Sequence, residues 1–217
     1  VCGGVHVSAL QDELLPAYPG FDFLCAGEGE LTMAELAGGA DPAGIRGLIW
    51  QRDSAPMANP PRPQIADLDS LPFPAYEKLE GFPRDYHLPL FSYIQTPGAT
   101  LITSRGCMFQ CSYCDRSVFS RGFRFNSPDY ILEHVALLNR NFGIRHVFFY
   151  DDLFTFDRKR VAEFCELKAK KGIRFSYNCI ARLEHVDEEL LRLLKGSGCW
   201  QVNFGIESGD PEILKKH

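Results

Sequence analysis

A chain of 217 residues with 45% hydrophobic and 24% charged residues is long enough for one or two packed domains and has an ordinary globular composition. Its net charge of −5 argues against a nucleic-acid partner, which usually demands a basic face. No apolar run approaches the roughly 18 to 20 residues needed to span a bilayer, and no signal peptide is visible.

Two regions alternating strand and helix are expected, with a proline-rich segment between them. In the first, Cys2-Gly3-Gly4-Val5-His6 reads as a strand end and tight loop. Ser8 is expected to cap a helix with Gln11 completing a capping box, and Leu10, Leu14 and Leu15 share one face. Phe21 to Ala26 reads as a buried strand, Leu31 to Ala37 as a short helix closed by Gly38-Gly39, and Ile45 to Gln51 as another strand. Residues 53–98 read as an ordered linker: prolines rule out interior helix or central strand, while Phe73, Tyr76, Phe82, Phe91 and Tyr93 supply apolar groups to pack.

The second region is more regular. Thr100 to Ser104 is an expected strand. Ser127-Pro128 opens a helix lined by Ile131, Leu132, Val135 and Leu138 and closed by Gly143. His146 to Tyr150 is a strand ending on Asp151-Asp152, and Asp157 caps a helix ending at Gly172. Arg174 to Ile180 is a strand, Asp187 caps a helix ending at Gly196, Cys199 to Ile206 is the fourth strand, and Asp210-Pro211 opens a fourth helix. Four βα units with short connections imply a parallel sheet with right-handed crossovers, half of a barrel. Chemistry in such folds gathers at the carboxyl ends of the strands. The candidates there are the cysteine loop, Asp151-Asp152, Asn178, Arg182 and Glu207-Ser208.

Cys107, Cys111 and Cys114 stand in a C-x₃-C-x₂-C spacing. Thiolate sulfur suits iron–sulfur clusters and zinc. A structural zinc site wants four ligands, usually as two pairs, and no nearby Cys or His supplies a fourth. Nor is the spacing the C-x₂-C-x₂-C-x₃-C run of ferredoxins. Three thiolates suit a cubane cluster with one iron left open. Cys25, Cys165, Cys179 and Cys199 fall in apolar patterns and read as buried small hydrophobes, with Cys2 also structural. This usage implies a reducing, cytoplasmic setting. Arg116, Arg121 and Arg124 form the one local basic cluster, either a solvated loop or a seat for an anionic substrate group.

The stretch Thr103-Ser104-Arg105-Gly106-Cys107-Met108-Phe109-Gln110-Cys111-Ser112-Tyr113-Cys114 resembles the signature loop of radical S-adenosylmethionine (SAM) enzymes, and the resemblance extends over residues 99–217. It implies a partial (β/α)6 radical SAM core with a [4Fe-4S] cluster on Cys107, Cys111 and Cys114. The open iron is chelated by SAM, which an electron cleaves to methionine and a 5′-deoxyadenosyl radical. It places Tyr113 near the adenine. The family's Gly-Gly-Glu-like motif is replaced by Tyr150-Asp151-Asp152, so Asp151 or Asp152 is expected to accept from the SAM ammonium. Gly205-Ile206-Glu207-Ser208-Gly209 resembles a segment of the cobalamin-associated branch, in which Glu207 suits the ribose or methionyl end of SAM. Arg182 suits the SAM carboxylate, and Asn178 is a further candidate.

The first region, with Gly3-Gly4, Gly27-Glu28-Gly29-Glu30 and Ile45-Arg46-Gly47-Leu48, resembles the carboxyl-terminal half of the Rossmann-like cobalamin-binding domain that precedes many such enzymes, which implies Gly3, Gly4, Gly27, Glu28, Gly29 and Glu30 as its cobalamin-binding residues. That domain's D-x-H-x-x-G and S-x-L motifs are absent, and both ends of the chain read as truncated. The expected organisation is therefore α/β: a partial cobalamin-binding domain at 1–52, the linker at 53–98 and a partial radical SAM core at 99–217. The expected activity is SAM cleavage with cobalamin-assisted methylation or cyclisation, resembling the anaerobic magnesium-protoporphyrin ester cyclase and radical methylase branch. It calls for a small-molecule substrate and an electron donor such as flavodoxin or ferredoxin, with no nucleic acid or membrane. The alternatives are a methylthiotransferase-type enzyme and a non-catalytic iron–sulfur or cobalamin-binding module.

Overall fold

The computed structural model describes residues 1–53, 55–119 and 122–215. The chain divides into two compact units, one of residues 1–66 with 108–122 and the other of residues 67–107 with 123–217.

In the first unit, β1 (Cys2–Gly3), β2 (Phe23–Cys25), β3 (Leu48–Arg52) and β4 (Ala55–Ala58) form one sheet in that order. β1 and β2 are parallel, whereas β2–β3 and β3–β4 are antiparallel. The helices are α1 (Val5–Leu10), α2 (Leu14–Ala17) and α3 (Glu30–Ala37). The sheet is α/β but mixed, with only one parallel pair. β4 lies inside the segment expected to be linker. Its Pro56 lacks an N–H to give, so the strand is tolerated at the sheet's edge.

The Ser8 cap is corrected. α1 starts at Val5 with Gly4 as its N-cap, which puts Ser8 within the helix. Its hydroxyl donates to Gly4 O at 2.9 Å and accepts from Gly27 N–H at 2.9 Å. Gln11, the expected capping-box partner, instead breaks the helix with φ 49. A serine hydroxyl satisfied by a distant N–H has no need of a helix terminus.

The second unit holds the parallel sheet. β5 (Gly98–Leu101), β8 (His146–Phe149), β9 (Ser176–Ala181) and β10 (Cys199–Phe204) pair in the order β10–β9–β8–β5, all parallel. The crossovers carry α4 (Pro128–Phe142), α5 (Arg158–Lys171) and α6 (Glu188–Gly196), and α7 (Pro211–Leu214) follows β10. Their starts are set locally: Ser127 accepts from Tyr130 N–H, Asp157 from Arg160 N–H, Asp187 from Leu190 N–H, and Asp210 from Glu212 and Ile213 N–H. Gly143 (φ 67) and Gly172 (φ 64) end α4 and α5 in the left-handed region, a conformation that costs glycine nothing sterically.

The core of this unit lies between sheet and helices. Ile131, Leu132, Val135 and Leu138 of α4 and Val161 and Phe164 of α5 pack with Val147, Phe149, Tyr177 and Cys179. Burying each large aliphatic side chain contributes about 1.5–3 kcal/mol, so the amphipathic faces and not helix propensity hold these crossovers in place. A two-stranded ribbon, β6 (Ser104–Arg105) with β7 (Arg124–Phe125), completes the unit. Among the described residues no helix is long and apolar enough to cross a membrane.

Candidate functional site

Because the four strands are parallel, their carboxyl ends share one edge of the sheet. The residues leaving that edge are Ile102 to Cys107 after β5, Tyr150 to Asp152 after β8, Arg182 after β9, and Gly205 to Glu207 after β10. The adjacent carboxylates there are disposed oppositely. Asp151 is fully buried and accepts from Thr103 N–H, from Thr103 Oγ1 at 2.5 Å and from Ser104 N–H at 2.9 Å. Burial raises its pKa, while Arg160 and these donors pull it back. With its oxygens occupied, Asp151 does not present itself to a ligand. Asp152 is exposed, and partial desolvation by the surrounding protein raises its pKa.

Glu207 is exposed and has φ 61, a left-handed conformation uncommon for a residue with a Cβ. Its carboxylate folds back over Gly205, where an added Cβ would stand 2.7 Å from Oε1. Arg182 pairs with Glu184, Nη2 to Oε1 at 3.2 Å and Nε to Oε2 at 3.3 Å. The Asn178 expectation is corrected. It stands third in β9 and not at its end, fully buried, with its amide bonded to His146 Nε2 at 3.0 Å and to Ser92 O at 3.1 Å. That is a satisfied interior residue.

All eight cysteines are thiols. Cys25, Cys165 and Cys179 are buried and Cys199 is half-buried. Cys107 and Cys111 are half-buried and Cys114 is exposed. Tyr113, beside Cys114, is 54% exposed. Of the arginine cluster, Arg121 lies outside the described residues; Arg116 and Arg124 are half-buried. Among the described residues no three His, Cys, Asp or Glu side chains are gathered as a metal site. The motif supplies its donors through spacing: three thiols within eight residues of chain, none in a disulfide. That donor set fits an iron–sulfur cluster, whose irons take thiolates.

In the first unit, a cavity of about 230 Å³ opens beside the carboxyl ends of β1 and β2, lined by Cys2, Gly3, Gly4, Gly27, Gly29 and Met33 among others. Gly4 (φ 101) and Gly27 (φ 76) are left-handed, and a Cβ at either would meet nothing within 4 Å. The expectation for Glu28 is corrected: it is buried, and its Oε2 accepts from Ile65 N–H at 2.7 Å. Glu30 is the first residue of α3. The cavity's volume lies below the roughly 300–1,000 Å³ of a typical small-molecule pocket, so it has room for only part of a large cofactor.

Sequence reasoning passed over Thr103 and Arg160, both buried at the stem of the cysteine loop. Arg160 occupies the first turn of α5, where an exposed cation is the default, so nothing local announces its burial.

Residues 101–217 match the Radical SAM superfamily. They make up more than half of the chain, and the chain belongs to that superfamily. It is 33% identical over 99% of its length to an uncharacterised methyltransferase of Pyrococcus horikoshii, of which it covers 46%. It is 27% identical over 96% of its length to the anaerobic magnesium-protoporphyrin IX monomethyl ester cyclase of Rubrivivax gelatinosus, covering 38% of it. Over 99% of its length it is 28% identical to the cytidylyl-2-hydroxyethylphosphonate methyltransferase of Streptomyces wedmorensis, covering 45%. The chain thus spans less than half of the curated relatives it matches. The fold is also that of the cobalamin-dependent SAM radical enzyme OxsB, solved with aqua-cobalamin and SAM, with a TM-score of 0.78 at 21% identity over 98% of this chain and 31% of that one. A radical SAM methyltransferase of Kitasatospora setae, TsrM, gives a TM-score of 0.69 at 20% identity over 98% of this chain and 42% of that one.

Proposed function

We propose that this chain carries the SAM-cleaving part of a cobalamin-dependent radical SAM methyltransferase or cyclase that acts on a small molecule. The observation carrying the proposal is the C-x₃-C-x₂-C thiol set, following β5 in a chain that belongs to the superfamily. A [4Fe-4S] cluster, when bound, supplies the electron that cleaves the sulfonium of SAM to methionine and a 5′-deoxyadenosyl radical. Cys107, Cys111 and Cys114 would hold it as thiolates. Asp152 rather than Asp151 would accept from the SAM ammonium, because Asp151 is already satisfied within the protein. Glu207 would bind the ribose or methionyl end, Arg182 the carboxylate once released from Glu184, and Tyr113 the adenine.

The finer organisation is part of the same reading: a partial cobalamin-binding domain at 1–52, a linker at 53–98 and a partial radical SAM core at 99–217. Gly3, Gly4, Gly27 and Gly29 would meet part of the cobalamin. The thiol usage fits a reducing cytoplasm, and a flavodoxin or ferredoxin would supply the electron.

Anaerobic reconstitution with iron and sulfide, then dithionite and SAM, tests the reading. The wild-type chain should bind four irons per cluster and release 5′-deoxyadenosine. Cys111→Ala should lose the brown absorbance and the product together. Full iron content in that variant would overturn the ligand assignment. A wild type that binds the cluster without releasing 5′-deoxyadenosine would leave an iron–sulfur module without the chemistry.

A further inference from the structure

The stem of the cysteine loop is tied by buried side chains that the proposed chemistry does not use. After β5 the chain enters the loop through Thr103 and β6 and returns through β7 to Asn126. The two legs pair Ser104 with Phe125 and Arg105 with Arg124, and Asn126 N–H donates to Thr103 O at 2.8 Å. One guanidinium grips both. Arg160, 3% exposed, donates from Nη2 to Thr103 O at 2.9 Å and to Thr103 Oγ1 at 2.5 Å, and from Nε to Asn126 O at 3.1 Å.

Asp151 holds the entry leg from the other side through Thr103 N–H, Thr103 Oγ1 and Ser104 N–H. The Thr103 hydroxyl therefore donates to Asp151 and accepts from Arg160, linking the two buried charges. On the exit leg Asp69 accepts from Asn126 Nδ2 at 3.0 Å and from Ser127 N–H at 3.0 Å. Every one of these bonds lands on a leg of the loop or on the residue that follows it. A buried charge is costly unless paired and hydrogen-bonded, so Asp151 and Arg160 have a narrow set of tolerable positions, and the two legs share it.

We propose that Thr103, Asp151 and Arg160 are positioning residues, a clamp that fixes both legs of the cysteine loop and so sets where Cys107 is presented, four residues beyond Thr103. The cluster half of this statement rests on the reading above; the clamp itself does not. It also divides the labour of the Asp151-Asp152 pair: the buried partner sets the loop, and the exposed one is left for the ligand.

The variants Thr103→Val and Thr103→Ser in the full chain test this. Valine keeps the shape and removes the hydroxyl; serine keeps the hydroxyl. In the apoprotein, trypsin should cleave Thr103→Val after Arg116 roughly tenfold faster than wild type, as expected from losing one to two buried hydrogen bonds at a locally opening segment. After reconstitution the same variant should bind less iron and show an altered electron paramagnetic resonance signal on adding SAM, and Thr103→Ser should restore both. Unchanged cleavage in Thr103→Val would overturn the clamp. So would cleavage accelerated equally across the whole chain, or a serine variant that fails to rescue. If neither wild type nor variant binds iron while loop cleavage still responds, the cluster reading fails and the clamp stands.

Discussion

The interior of the second unit and the carboxyl edge of its sheet both carry polar side chains, but they differ in where the partners lie. In the interior, His146 Nδ1 meets Ser176 Oγ at 2.8 Å and its Nε2 meets Asn178. His134 Nε2 meets the Tyr76 hydroxyl at 3.0 Å under a stacked Phe73 ring. Asp151 and Arg160 are linked through the Thr103 hydroxyl. At the edge, Asp152 is exposed, Glu207 is in a left-handed conformation, and Arg182 pairs with its near neighbour Glu184. Buried polar groups must find partners inside the protein, so interior chemistry is spent on architecture. Groups at the edge keep their capacity for a ligand. The largest expected effect is loss of cluster and product in Cys111→Ala.

His134 is the sharpest probe of the interior. Burial pushes its pKa down to about 4, against an ordinary histidine value of about 6.5. Above pH 6.5 the ring is neutral in both folded and unfolded chains and contributes no pH dependence. As the pH falls from 6.5 toward 4, the unfolded chain takes up a proton that the folded one resists, and stability declines by up to about 3 kcal/mol. Denaturant unfolding across pH 4 to 7 should show that slope in wild type and lose most of it in His134→Gln. Equal slopes would mean that the ring is not buried neutral.

At the edge, Asp152→Asn should leave the melting temperature within a degree or two, since exposed substitutions rarely exceed about 0.5 kcal/mol. Its effect should fall on SAM affinity, by about 10- to 100-fold, the range of a charge-assisted hydrogen bond. Wild-type affinity should also weaken as the pH falls toward the raised pKa of Asp152, because only the ionised carboxylate pairs with an ammonium. Calorimetry on the reconstituted chain reads both. A large loss of stability with unchanged affinity would put Asp152 with the interior.

Much of this division could be read from the sequence, for identifiable reasons. The parallel sheet was legible because its helix starts are local: Ser127-Pro128, Asp157, Asp187 and Asp210-Pro211 act on N–H groups two or three residues away. The cysteine motif was legible for the same reason, its chemistry lying in short spacing. What escaped depends on distant partners. Ser8 reads as a cap until Gly27, 19 residues on, occupies its hydroxyl. Arg160 reads as a surface cation until Thr103 and Asn126 arrive from 57 and 34 residues away. Asp151 and Asp152 are the same residue type side by side, and only the bonds to Thr103 and Ser104 tell them apart. β4 was hidden by a proline that an edge strand accommodates.

The smallest expected effect is the most diagnostic for the edge, because affinity stays, rises or falls according to the role of Arg182. The Arg182–Glu184 pair is exposed, with side chains 34% and 67% accessible, and such pairs are worth about 0–1 kcal/mol. Glu184→Ala should therefore barely move stability under either role. If Arg182 is only a surface partner, SAM affinity stays where it was. If Arg182 must leave Glu184 to bind the SAM carboxylate, removing the competitor relieves that cost, and affinity should rise by roughly two- to fivefold, the equivalent of 0.4–1 kcal/mol. Arg182→Ala should then lower affinity, and the double variant should match Arg182→Ala, since without the guanidinium Glu184 has nothing to compete for. Affinity that falls in Glu184→Ala would instead make the pair a unit that holds the β9 end in place, and would move Arg182 from the edge's open chemistry to the architecture.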